Sequence, residues 1–190
     1  MYIRQFEQYK PRNEQEKQDQ ALILAFIKSH DDALFRTNLI GHITSSAFVL
    51  NEAMDKILFA YHKLYDSWAW VGGHNDGNPN LLEVAIKETK EETGLKNVLP
   101  YSNDIFMVDV IYVKNHIKHG AYVPDHLHLN ATFLLIASED QAISINQDEH
   151  LDVRWFLLED VLNHVSETRM KPIYQKALQR IYQIKHKSSI

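Results

Sequence analysis

The chain has 190 residues, 45% hydrophobic and 24% charged, the mix of a globular protein with one core and an added segment. A formal net charge of −5 without a block of like charges argues against nucleic acid as a partner, and the absence of cysteine excludes disulfides and thiolate metal sites. No run nears the roughly 18 apolar residues of a membrane span and no signal-peptide stretch opens the sequence, so no membrane partner and a cytoplasmic location are expected.

Residues 13–29 are expected to form a helix, with Asn13 as N-cap and Glu14, Gln15, Glu16 and Lys17 as good helix formers. Its second half, Ala21 to Ile27, is almost wholly apolar and must bury against something. Residues 1–40 are therefore assigned to an N-terminal helical extension packed on a main domain of residues 41–190. The same apolar helix would also suit a homodimer interface. Ile43–Leu50 and Lys56–Tyr61 read as a hairpin with a longer connection, and Trp68–Val71 as a short strand. Gly72 to Asn80 is a loop rich in Gly, Asn, Asp and Pro, in which Pro79 suits an early helix position. Residues 80–93 have helical spacing, and Gly94 stands where a helix end favours a left-handed residue. Residues 105–113, 127–137 and 153–157 read as strands, 159–164 as a short helix and 172–184 as a closing amphipathic helix. The alternation implies an α/β sandwich with a mixed sheet.

The segment Lys87-Glu88-Thr89-Lys90-Glu91-Glu92-Thr93-Gly94-Leu95 carries the most chemistry. Spacings of three and four place Glu88, Glu91 and Glu92 on one helix face, where like charges repel by about 0.2–0.5 kcal/mol per pair. They also sit at the negative end of the helix dipole, which disfavours each by about 0.3–1 kcal/mol. A solvated charged face is the plain explanation, with Lys87 and Lys90 diluting the charge. A hard cation would turn the repulsion into coordination, because Mg²⁺ takes carboxylate oxygens together with substrate phosphates. The preceding Gly72-Gly73 pair lets the backbone come close to a ligand.

The stretch GGHNDGNPNLLEVAIKETKEETGL resembles the Nudix box, which runs Gly, five residues, Glu, seven residues, Arg-Glu-U-x-Glu-Glu-x-Gly-U with U aliphatic. Gly73 falls on the opening glycine, Glu88 on the glutamate after the arginine, Glu91 and Glu92 on the pair, and Gly94 and Leu95 on the last two positions. Pro79 replaces the first glutamate, Lys87 the arginine and Thr89 an aliphatic residue. In the family that glutamate and arginine brace each other, so losing both leaves no charge unpaired. The GGHxDG form looks like that of a bacterial subgroup.

The resemblance implies an α/β/α sandwich, with Glu88, Glu91, Glu92 and the carbonyl of Gly72 as ligands of Mg²⁺, or Mn²⁺ in its place. The implied activity is hydrolysis of a phosphoanhydride bond in a nucleoside diphosphate derivative. Water would attack phosphorus with Glu91, Glu92 or Glu149 as general base. Trp70, His74, His126 and His128 are expected to contact the substrate. His126 and His128 alternate on one strand and so share a face, and with His42, His62 and His74 they could form a second metal site instead. Two other readings stand: a regulatory module that binds nucleotides without turnover, and an enzyme similar to isopentenyl diphosphate isomerases. The cysteine of those isomerases is absent here.

Overall fold

The computed structural model describes residues 2–118 and 120–187. The helices are α1 (Tyr2–Gln8), α2 (Glu14–Ser29), α3 (Leu81–Thr93), α4 (Val161–His164) and α5 (Lys171–Lys187). The strands are β1 (Gly41–Leu50), β2 (Lys56–His62), β3 (Ser67–Ala69), β4 (Val71–His74), β5 (Leu99–Pro100), β6 (Met107–Val113), β7 (His116–Lys118), β8 (Ala121–Val123), β9 (His126–Ile136) and β10 (His150–Leu157). The chain is α/β, as its alternating elements led us to expect. The main sheet runs in the order β10-β2-β1-β9-β5, with β3 paired to β2, β4 to β1 and β6 to β9. Strands β7 and β8 form a separate antiparallel pair.

Two compact units share the chain, one of Met1–Ser46, Gly72–Ala85 and Ser102–Phe133, the other of Ala47–Val71, Ile86–Tyr101 and Leu134–Ile190. In the first, Asn13 caps α2 by accepting from the Glu16 amide at 2.8 Å. The Glu16 carboxylate reaches back to the Arg12 amide at 2.9 Å, a reciprocal arrangement that satisfies two amides at the helix start. Helix α2 lies on β6, where Asp19 accepts from the Val110 amide at 2.9 Å, and on α1, where Phe6 and Ile23 are fully buried. Sequence patterning gave no hint of α1, which has no capping signal and only seven residues.

Strand β1 is buried along its whole length. Its first half is nevertheless polar on one face. Thr44 donates to the Asn130 side-chain carbonyl at 2.9 Å, and the Asn130 amide donates to Ser46 at 2.8 Å and Thr132 at 2.9 Å. Buried hydroxyls are tolerated because this ladder satisfies them.

In the second unit β2 pairs antiparallel with β10, with a bulge between His150 and Asp152. Tyr174 of α5 packs edge-to-face on Phe48, Phe59 and Trp70, Trp70 does so on Phe48, and Phe48 stacks on Phe59, with ring centroids 5.1–6.3 Å apart. Burial drives the Tyr174 hydroxyl far above its usual range. Helix α3 starts at Leu81, with Asn80 accepting from the Glu83 amide at 3.3 Å. Pro79 therefore lies ahead of the cap rather than inside the first turn. At the other end Gly94 takes φ 72° and donates to the Lys90 carbonyl at 3.0 Å, closing the helix as its position predicted.

Candidate functional site

Two clusters of ionisable groups stand out, one in each unit. In the second unit the C-terminal half of α3 presents Glu88, Glu91 and Glu92. The ammonium of Lys87 lies 3.2 Å from Glu88 Oε1 and 2.7 Å from Glu91 Oε2. Burial raises the Glu88 carboxyl above its ordinary range; Lys87 opposes this, while the charges of Glu91 and Glu149 add to it. Glu149, which precedes β10, is thus in the electrostatic neighbourhood of Glu88. Glu92 is only 3% exposed, and its Oε2 lies 3.4 Å from His150 Nε2. The His150 ring is held below its usual pKa chiefly by burial. His62 stacks edge-on against His150 at 5.2 Å. Thr89 is fully buried, so it fills the interior position that an aliphatic residue takes in the motif.

Four crowded carboxylates, one of them already pushed toward protonation, are hard oxygen donors in need of positive charge. They fit a divalent cation, with Lys87 as the partial counter-charge the chain itself supplies.

In the first unit three imidazoles converge from three strands. His42 opens β1, His74 ends β4 and His128 sits on β9, and one ligand atom from each lies within 4.8 Å of the others. The His126 Nε2 is 3.3 Å from His128 Nε2. His126 and His128 thus share a face, as their alternation required. Gly72 has φ 154°, and a Cβ there would meet Ser46 Cα at 2.5 Å and Ser45 O at 2.6 Å. Only glycine lets β4 lie this close to β1, and that closeness sets His74 against His42, with ring centroids 4.9 Å apart. Trp70 remains half-buried against Phe48 and Tyr174.

Against known families, the model described as NUDIX domain matches residues 41–180. The chain belongs to the Nudix family. Among curated Nudix relatives, the bis(5'-nucleosyl)-tetraphosphatase (asymmetrical) of Mus musculus is 27% identical over 149 residues, which cover 77% of this chain and 89% of that protein. A NUDIX-family hydrolase from Clostridium perfringens superposes with a TM-score of 0.54 at 23% identity, over 74% of this chain and 97% of that one. The E. coli dihydroneopterin triphosphate pyrophosphohydrolase gives a TM-score of 0.55 at 13% identity, over 73% and 95%. At these identities the two structures speak for the Nudix fold, which confirms the fold class read from the box and its flanking elements. The reading of a Nudix-type enzyme is likewise borne out. Nudix hydrolases generally use divalent metals, in keeping with the carboxylate cluster. Among the described residues no helix is long and apolar enough to cross a membrane.

Sequence reasoning did not single out His150. Its signal was weak: a histidine directly after Glu149, in a loop with no periodicity. The polar ladder was also passed over, although His42, Thr44 and Ser46 alternate on β1 as His126, His128, Asn130 and Thr132 do on β9.

Proposed function

We propose that this Nudix protein is a Mg²⁺-dependent pyrophosphohydrolase that cleaves a phosphoanhydride bond in a nucleoside diphosphate derivative by attack of water on phosphorus. The observation that carries the reading is the crowding of Glu88, Glu91, Glu92 and Glu149 at one end of α3, with burial raising the Glu88 carboxyl. Glu88, Glu91 and Glu92 would hold the metal, and Mn²⁺ would substitute for Mg²⁺. When bound, the metal neutralises charge that develops on the phosphate oxygens as the bridging P–O bond breaks.

The chain's own groups handle the proton. A water oxygen forms the new bond to phosphorus and gives its proton to a carboxylate, for which Glu149, Glu91 and Glu92 are the candidates. His150, 3.4 Å from Glu92, would help to orient that buried side chain. Lys87, 3.2 Å from Glu88 and 2.7 Å from Glu91, opposes the rise that burial imposes on the Glu88 carboxyl. On the sequence reading alone, the carbonyl of Gly72 would join the ligand set, and Trp70, His74, His126 and His128 would line the substrate side, directly or through a metal of their own. Residues 41–190 would form the catalytic domain, with 1–40 as its extension.

The likeness to a tetraphosphatase makes dinucleoside tetraphosphates the first substrates to try. The test is turnover of a panel of dinucleoside polyphosphates, ADP-ribose, sugar nucleotides and nucleoside triphosphates in H₂¹⁸O, with and without Mg²⁺. Expected is metal-dependent cleavage with one ¹⁸O on a product phosphate, and a rate loss of at least about tenfold in Glu92→Gln. Absence of turnover across the panel with both metals, or an unimpaired Glu92→Gln variant, would overturn the reading.

A further inference from the structure

We propose that His42, His74 and His128 form a second metal centre, one that takes a single divalent transition-metal ion of the Zn²⁺ class through three imidazole nitrogens. The donor set separates it from the carboxylate cluster. Imidazole suits Zn²⁺, Ni²⁺, Co²⁺ and Cu²⁺, whereas Mg²⁺ asks for oxygen. Three protein ligands leave coordination positions open to water or to an oxygen of a small ligand.

Four independent observations carry the assignment. The first is convergence: three ligand atoms from three different strands lie within 4.8 Å of one another. Tetrahedral coordination at the usual Zn–N distance spaces nitrogens by about 3.4 Å. Closing from 4.8 Å to that spacing asks for about 1.4 Å at most, within reach of rotations about the side-chain torsions.

The second observation is an orphaned atom. His42 is 3% exposed, and its Nε2 is buried without a hydrogen-bond partner among the described residues. A buried nitrogen without a partner is unfavourable, and a ligand on it removes that penalty.

The third is the tautomer. The Nδ1 of His42 faces the Asn38 carbonyl at 3.2 Å, and a carbonyl only accepts, so Nδ1 carries the proton. The lone pair is therefore on Nε2, the atom left without a partner. A ring N–H given to a backbone carbonyl is the usual outer support of a metal-bound histidine.

The fourth is the surrounding support. His126 is pinned by its own Nδ1 to the Pro124 carbonyl at 2.8 Å, and it holds His128 through the 3.3 Å contact between their Nε2 atoms. Further along the same two strands, the Thr44–Asn130–Ser46 ladder fixes β1 against β9 and so fixes His42 against His128. The nearby Arg36 is engaged by Asp76, its Nε donating at 2.7 Å, so its charge is largely offset.

The experiment uses the full chain stripped of metal by a chelator. Zn²⁺ is titrated by calorimetry and Co²⁺ by visible absorption, both in a large excess of Mg²⁺. Expected are one Zn²⁺ per chain and the ligand-field bands of a four- or five-coordinate Co²⁺ site with nitrogen donors. His74→Asn and His128→Asn should each weaken binding by at least about a hundredfold, more than loss of an outer-shell partner does. The double variant Glu88→Gln, Glu92→Gln should keep the Zn²⁺ affinity, which separates this site from the hydrolytic reading. In crystals of the unsubstituted protein, an anomalous peak at the zinc edge should lie among the three rings, a readout that does not depend on the folding of any variant. Binding weaker than about millimolar, a stoichiometry indifferent to both histidine variants, or a zinc peak elsewhere would overturn the proposal.

Discussion

Gly72→Ala tests how closely β4 must lie on β1. The added Cβ would sit 2.5 Å from Ser46 Cα, 2.6 Å from Ser45 O and 2.6 Å from Ser46 Cβ. Unbonded carbons rest at about 3.5–4.0 Å, so the overlap is about 1 Å, and two of the three opposing atoms are backbone that no rotamer change can move. Overpacking of this kind costs about 1–3 kcal/mol, and forcing φ 154° on an L residue adds about 1–3 kcal/mol more. A total of roughly 2–6 kcal/mol corresponds to a fall in Tm of about 4–24 °C for a chain of this size. Gly120→Ala is the control. It shares a positive φ of 79°, but its Cβ would meet nothing within 4 Å, so only backbone strain of about 1 kcal/mol remains. Thermal melts followed by tryptophan fluorescence compare the two. Because His74 lies two residues along the same strand, separation of β4 from β1 should also weaken Zn²⁺ binding. A Gly72→Ala protein that melts no lower than Gly120→Ala would refute the reasoning.

The histidines make a prediction about pH. The folded-state pKa values of His42, His74 and His128 are all depressed, that of His74 to about 3, so the unfolded chain takes up protons first as pH falls below about 6.5. Each fully shielded ring would remove about 1.4 kcal/mol of stability between pH 7.5 and 5.5. With His74 and His128 partly exposed, we expect a loss of about 2 kcal/mol in total for metal-free protein. Urea unfolding at the two pH values measures it, and equal stabilities would contradict the burial argument. Lys87→Gln should bind Mg²⁺ about threefold more tightly, because it removes an ammonium that competes for Glu88 and Glu91. Calorimetry showing weaker binding would mean that Lys87 supports the site rather than competes for it. Asn130→Ala should cost about 2–4 kcal/mol in urea unfolding, since it strips buried partners from Thr44, Ser46 and Thr132. A loss below about 1 kcal/mol would show that the hydroxyls re-pair among themselves.

The sequence by itself determined the α/β class and the elements with strong local signals. Asn13 caps its helix, Gly94 ends another, and the spacing in Glu88-x-x-Glu91-Glu92 puts three carboxylates at the end of α3. Local backbone preference and helical periodicity act over a few residues, so they are legible in the chain order. The short elements α1, β5, β7 and β8 were not legible, because two to seven residues carry too little periodicity to register.

Only the tertiary structure brought together groups far apart in the chain. His42 and His128 lie 86 positions apart with His74 between them, and what makes them one cluster is strand pairing, which depends on long-range register. The same holds for Glu92 and His150, which the β10 bulge and α3 bring to 3.4 Å. Sequence spacing names the groups that chemistry needs; it cannot say which of them share a dry environment, and burial is what sets their charge and their affinity for metal.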